Sequence, residues 1–415
     1  MTVICTLGRA IPRGLDFIDR QEKAFKTNLL RQASQNFLIT PTMYVYQSIY
    51  LAALGATALQ LAIVYGVGGA AATLIAIPGG WLADRYGIKR IFLLGTVFMI
   101  LGSLLFTMAS DWTMGIPAML IFNSAWALVM TVCPAVCGSY LESSERATGM
   151  QLCDTLSAAP RLVAPIVGAV VVAQSGGLSA DGIRPLYWIQ AAGLLVLLIF
   201  IYTQFTEPSK RTNLKTDSRF ISGMKEVFVE GRMVKRWVVN IFLVSIPLFV
   251  SNAYLPLFAA EVKQADEYLI GTMIAATMVV PLLLSIPIGR FADMFGRKKT
   301  LYATIPLYCI SLLLLIHAPN PTILIGSGVL QGFYTLCSVT SGTISAELVP
   351  IPLLGRWFGI LGFSRGLAGM LGPIIAGILW SAIAPSSVFL FLLVIMLASS
   401  FILATMPETL KIYVT

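Results

Sequence analysis

Charge is what this 415-residue chain has least of: only 11% of its residues are Asp, Glu, Lys or Arg, against roughly a quarter in a soluble domain. A water-facing surface cannot be covered at that density, so most of the exterior must meet lipid. Histidine is nearly absent too. His317 stands alone, with no acid near it in sequence, which leaves no His/Asp metal set for intramembrane hydrolysis; an enzyme, a metal site and a cofactor are not expected. The six cysteines (Cys5, Cys133, Cys137, Cys153, Cys309, Cys337) have neither zinc-site spacing nor the pattern of a disulfide framework. Cys133 and Cys137, at i and i+4, read as small apolar packing. Residues 1–31 lack an apolar h-region, so no signal peptide is expected. In that tail Leu15, Ile18, Phe25 and Leu29 are spaced for one face of a surface-lying helix.

Apolar residues make up 57% of the chain, and the mean hydropathy is +0.84. Runs near the ~20 residues that cross about 30 Å of hydrocarbon recur along almost the whole length. They fall at 32–54, 59–82, 90–109, 113–138, 148–173, 186–205, 236–259, 268–291, 300–317, 321–345, 357–382 and 386–406. The fold class is therefore an all-α membrane protein with twelve transmembrane helices. The net charge of +9 raises a nucleic-acid partner only until the charges are mapped. With both termini inside, 24 of the 28 basic residues lie in cytoplasmic segments. That is the positive-inside asymmetry, and it leaves no nucleic-acid partner to invoke.

The chain repeats itself. Gly80-Trp81-Leu82-Ala83-Asp84-Arg85-Tyr86-Gly87-Ile88-Lys89-Arg90 recurs 209 residues later as Gly289-Arg290-Phe291-Ala292-Asp293-Met294-Phe295-Gly296-Arg297-Lys298-Lys299. Arg146-Ala147-Thr148-Gly149 is matched by Arg356-Trp357-Phe358-Gly359, and Ala164-Pro165-Ile166-Val167-Gly168 by Gly372-Pro373-Ile374-Ile375-Ala376-Gly377. Both halves close on an acid beside proline, at Glu207-Pro208 and Pro407-Glu408. The paired loop resembles the G-x-L-A-D-R-x-G-r-k loop of the major facilitator superfamily. That resemblance covers residues 32–410 and implies two pseudo-symmetric six-helix bundles. The expected organisation is a cytoplasmic tail at 1–31, bundles at 32–206 and 236–406, a linker at 207–235 and a second tail at 407–415. It implies a multi-pass cell-membrane protein, monomeric, with a small-molecule substrate, protons and the lipid bilayer as its partners.

Within the loops, Gly87 and Gly296 permit a tight reversal. Asp84 and Asp293 sit at helix C-termini, where the backbone dipole disfavours an anion, so each needs a cation. In the superfamily this acid pairs with basic groups on neighbouring helix ends and holds the inner gate shut. The resemblance therefore implies gate roles for Asp84, Gly87 and Arg90, and for Asp293, Gly296 and Lys299. Arg85, Arg297, Glu142, Arg146, Glu347 and Arg356 join the same network; the alternative is topological anchoring by charge alone. The drug-exporter signature G-x-x-x-G-P-x-x-G-G of the fifth helix is reduced here to Ala164-Pro165 and Gly168, with the fuller match in the eleventh helix. Gly66-Val67-Gly68-Gly69, with no preceding strand, reads as close helix packing rather than a phosphate loop.

Three ionisable residues lie deep in predicted helices: Asp154, Arg161 and Arg365. At ~1.5 Å per residue from Arg146 and Arg356 they sit roughly 12, 22 and 13 Å in. A charge at the bilayer centre costs at least ~2.5–3.5 kcal/mol, so these groups should face a wet cavity or each other. One acid against two arginines leaves a guanidinium free to receive an anion. Polar stripes supply candidate cavity walls: Asn36, Thr40, Tyr44 and Gln47 in helix one; Asn123 and Trp126 in helix four; Ser245 and Asn252 in helix seven; and Gln331, Tyr334, Ser338, Ser341 and Ser345 in helix ten. The leading reading is a secondary transporter moving a small organic anion by alternating access. Arg161, Arg365, Tyr44, Gln47, Asn123, Trp126, Asn252 and Tyr334 would bind it, and Asp154 would couple protons, as symport or antiport. The runner-up is a multidrug/proton antiporter for apolar compounds. A lipid scramblase or a non-transporting sensor on the same fold is the reading of another class.

Overall fold

A computed structural model of the protein describes residues 23–140, 156–206, 228, 233–349 and 354–408. Among these residues every regular element is helical. The second to twelfth spans run Ala58–Tyr86, Ile88–Thr107, Gly115–Tyr140, Leu156–Gln174, Ala180–Gln204, Val234–Glu261, Glu267–Phe295, Arg297–His317, Pro321–Glu347, Leu354–Ala382 and Pro385–Ala404. Those eleven are long and apolar enough to cross a membrane. With the first span they make twelve, so the protein is an integral, multi-pass membrane protein. Large apolar side chains on the outside of the bundle, such as Val196 and Phe401, are left exposed to lipid.

The first span is three pieces: Lys23–Ile39, a π-helical stretch Thr40–Tyr46, and Gln47–Ala53. Pro41 near the start of the stretch has no N–H to give the preceding turn, and the helix widens there. The span also begins earlier than position 32. Arg31, expected in the tail, is almost fully buried. Its guanidinium donates to Asn28 Oδ1 and Gln35 Oε1 at 3.1 and 2.7 Å and lies 4.0 Å from the Phe92 ring centre. Phe25 is likewise buried in the core rather than lying on a surface, and Leu15 and Ile18 are outside the described residues.

Short turns join the spans. Gly87 (φ 88°) and Gly296 (φ 111°) each link two helices in the left-handed region, where a Cβ would be strained. On the opposite face, Asp266 and Asn320 cap the eighth and tenth spans by accepting from Leu269 N at 2.7 Å and Ile323 N at 3.0 Å. Each half has an aromatic core. Tyr50, Phe106 and Tyr187 cluster in the first, with Phe106 and Tyr187 4.9 Å apart; Phe258 packs on Phe389 at 4.8 Å in the second.

The halves meet through the second and eleventh spans, the fifth and eighth, and the first and seventh. These contacts gather towards the face carrying the loops at 54–57 and 262–266. The second and eleventh spans cross there with almost no side chain between them: a Cβ on Gly69 would stand 2.6 Å from the carbonyl carbon of Gly369. Gly66 faces Ile374, Gly366 faces Thr73 and Gly377 faces Ala62. The glycine runs of both helices serve close packing, as the sequence implied for Gly66-Val67-Gly68-Gly69.

Candidate functional site

A cavity of about 240 Å³ lies between the halves. From the first half it is lined by Thr40, Tyr44 and Arg161; from the second by the seventh span around Leu248 and Asn252, the eighth around Thr277, Tyr308 of the ninth, and the tenth from Gln331 through Tyr334 to Ser338. Two helix distortions shape it. The π-helical stretch turns Thr40 and Tyr44 to the cavity. The eighth span is interrupted at Thr277 and Met278, ahead of Pro281, and both interrupted residues line the wall.

Arg161 is the one charged side chain lining the described cavity. Pro160 begins the regular part of the fifth span immediately before it. The Ser157 carbonyl, one turn back, accepts from Asn36 Nδ2 at 2.7 Å, and Arg161 Nη2 donates to Asn36 Oδ1 at 2.8 Å. The guanidinium carbon stands 5.7 Å from the Tyr44 ring centre. Arg161 Nε is buried without a partner, and no described carboxylate pairs with the group. Across the cavity, Tyr334 donates to the Val244 carbonyl at 2.7 Å, which fixes its ring, and Tyr308 lies 5.2 Å away, centre to centre. Gln331 Nε2 is buried without a partner.

Of the expected substrate contacts, Arg161, Tyr44, Asn252 and Tyr334 are brought together here. Arg365, half-buried in the eleventh span, is not among the residues lining the cavity. Gln47 is elsewhere: it is buried, with Nε2 against the sulphurs of Met43 and Met119 at 2.9 and 3.1 Å. Asn123 donates to the Met119 carbonyl at 3.2 Å and abuts Gly68; Trp126 packs against the core of the first half. The fourth span thus gives the described cavity none of its expected wall, whereas the fifth and eighth do. The polar stripe of the tenth span divides. Its Gln331–Ser338 part lines the cavity, whereas Ser345 Oγ accepts from Trp237 Nε1 at 2.8 Å and the Ser345 carbonyl from Trp357 Nε1 at 2.7 Å. Asn36 carried a visible signal as part of a stripe and Arg161 as a buried charge, but their pairing carried none. Thr277, Met278 and Tyr308 carried none. Asp154 lies outside the described residues.

Of the residues expected at the gate in the second half, Asp293, Arg297 and Glu347 lie together, and Lys299 is exposed. Arg297 pairs with Asp293 one turn away and reaches Glu347 Oε1 at 3.3 Å. This ties the eighth, ninth and tenth spans together within one half. Glu408 joins them: its Oε1 accepts from the Lys298 amide at 3.2 Å, and its carboxylate crowds Gly296. Lys298 Nζ donates to the Met406 carbonyl at 2.6 Å. In the first half Gly87 makes its turn, Arg85 is exposed with its guanidinium 5.6 Å from the Tyr86 ring centre, and Arg90 is exposed. Glu142, Arg146, the side chains of Asp84 and Arg356, and most of the linker lie outside the described residues. His317 ends the ninth span exposed.

Two six-helix halves around a central cavity are the architecture of a membrane transporter. The chain belongs to the Major Facilitator Superfamily, whose profile matches residues 32–267 and 239–411. It is similar to an uncharacterized MFS-type transporter of Methanocaldococcus jannaschii, 24% identical over 353 residues, covering 83% of this chain and 88% of that one. It is also similar to the methylenomycin A resistance protein of Bacillus subtilis, 24% identical over 298 residues, covering 59% and 62%. A crystal structure of a point mutant of the nucleoside transporter NupG superposes with a TM-score of 0.77 at 14% identity, covering 92% of this chain and 99% of that one.

Proposed function

We propose that this transporter moves a small organic anion, with Arg161 receiving the anionic group. The observation that carries this reading is one guanidinium on a cavity whose described lining contains no carboxylate. A planar fork with an unsatisfied nitrogen, held by Asn36, is built to bind carboxylate or phosphate oxygens. Tyr44, Asn252 and Tyr334 would complete the contact, and Arg365 would draw the anion onward along the eleventh span. The positive-inside pattern supports placing both termini and the turns at Gly87 and Gly296 in the cytoplasm. The face where the halves meet is then external, and the cavity opens inward. Asp154 would exchange protons as the arginines approach it or turn to substrate. The protein would act as a monomer.

Uptake into proteoliposomes of a panel of monocarboxylates, phosphate esters and organic cations, with and without a pH gradient, tests this. Anion-specific uptake supports it; transport of cations only would overturn it. Loss of gradient-driven accumulation in Asp154→Asn, with exchange retained, would place coupling there. A multidrug exporter is the second reading, supported by Leu248, Leu255, Ile274 and Met278 on the cavity wall and by the likeness to a resistance protein. Saturable transport of apolar cations would favour it.

A further inference from the structure

Two tyrosines cross between the halves, and they are related by the internal repeat. Tyr46, at the end of the π-helical stretch in the first span, donates from Oη to the Glu267 carbonyl at 2.9 Å. Glu267 is the first residue of the eighth span. Tyr254, in the seventh span, shares its one hydroxyl proton between the Ala58 carbonyl of the other half at 3.0 Å and the Pro373 carbonyl of its own half at 3.1 Å. Ala58 is the first residue of the second span. The two donors are 208 residues apart and the two acceptors 209, within one residue of the 209 that relates the paired loops. Each half therefore sends the same helix position to the same helix end of its mate. Both rings are fully buried.

The neighbours of the two tyrosines give the arrangement its use. Two residues before each, Tyr44 and Asn252 line the cavity, and Thr40 and Leu248 do so six residues before. The hydroxyls sit on the side of the cavity where the halves touch, on helices whose next turn lines the cavity wall.

We propose that Tyr46 and Tyr254 are a pseudo-symmetric pair of latches that hold this side of the transporter closed, each by one hydrogen bond from its own half to the other. Opening towards the 54–57 and 262–266 loops breaks both bonds and exposes the Glu267 and Ala58 carbonyls to water. Because the latches share helices with the cavity wall, a solute that shifts Tyr44 or Asn252 acts on the latch beside it. The inference rests on alternating access, which the family supplies, and not on the charge of the substrate.

The test is a distance measurement on purified protein that needs no substrate. Spin labels at Met108 and Ile383, both highly exposed at this face, are placed in a background without native cysteines. Tyr46→Phe and Tyr254→Phe keep the ring and lose only the hydroxyl. Each is expected to raise the ratio of open to closed distances about fivefold, the equivalent of about 1 kcal/mol for one hydrogen bond, and the double variant about 25-fold. Tyr50→Phe is the control, since that hydroxyl bonds to the Phe106 carbonyl inside one half at 2.7 Å; it should leave the ratio unchanged. Thermal midpoints measured in parallel separate misfolding from gating. An unchanged distribution in the double variant, an effect confined to one tyrosine, or an equal effect of Tyr50→Phe would each overturn the paired latch. Failure of anion uptake would not touch it.

Discussion

Asn36 and Arg161, 125 residues apart in sequence, are joined by a 2.8 Å hydrogen bond from the guanidinium to the amide oxygen. The Asn36 nitrogen is committed at the same time to the Ser157 carbonyl at 2.7 Å. That second bond sets the amide's orientation, because a reversed amide would turn its NH2 towards the cation and its oxygen towards a carbonyl. The first span therefore holds the arginine of the fifth with one edge fixed and one edge left to the cavity.

Arg161→Gln should weaken binding of an anionic substrate about 30-fold, as expected for losing ~2 kcal/mol of charge-assisted hydrogen bonding. Arg161→Lys should retain a fraction, because it keeps the charge and loses the fork. Asn36→Leu should raise KM while sparing the maximal rate if Asn36 only positions the arginine. Equilibrium binding and initial rates on the same vesicles check all three; equal binding of an anion to wild type and Arg161→Gln would remove Arg161 from the site.

Gly69→Ala should act as a wedge. Its Cβ would meet backbone atoms of Gly369 at 2.6 Å, and backbone cannot swing aside as a side chain tip does. Overpacking of this kind costs typically ~1–3 kcal/mol, here charged to the closed form alone. A cysteine at Thr335, on the cavity wall, should then label faster with an impermeant reagent applied from the side of the 54–57 loop. An unaltered labelling rate would show that the crossing adjusts without opening.

Arg297 shares Asp293 and Glu347, and the two acids are unequal: the Asp293 side chain is 64% exposed and that of Glu347 18%. Solvent screens the first pair, so Asp293→Asn should change stability by less than about 1 kcal/mol. Arg297→Gln removes the guanidinium from the more sheltered Glu347 carboxylate and should cost more, of order 2 kcal/mol. Thermal unfolding in detergent ranks the two; a larger loss for Asp293→Asn would contradict the burial argument.

Topology is checked by labelling. Single cysteines at Ser179 and Thr212 should react with an impermeant reagent from outside and inside the cell respectively. Reaction of Thr212→Cys from outside intact cells would invert the assignment.

The apolar runs, the duplicated Asp84 and Asp293 loops and the scarcity of charge settled the fold before any coordinate. Lipid admits only segments whose backbone groups are satisfied internally, so twelve runs of that length had to be helices. The Gly66–Gly69 run of the second span could also be read as close packing, because a missing side chain implies a near neighbour. Which neighbour was not legible: Gly69 meeting Gly369 depends on how two halves dock. The same limit separated Arg161, which reaches the cavity, from Gln47, which two methionines enclose. A helical stripe gives one face per turn, but Pro41, Pro160 and the break at Thr277 rotate the faces that follow them. Tyr46 and Tyr254 lay in plain view at the repeat offset. Their role became visible only when packing brought each hydroxyl to the first carbonyl of a helix in the other half.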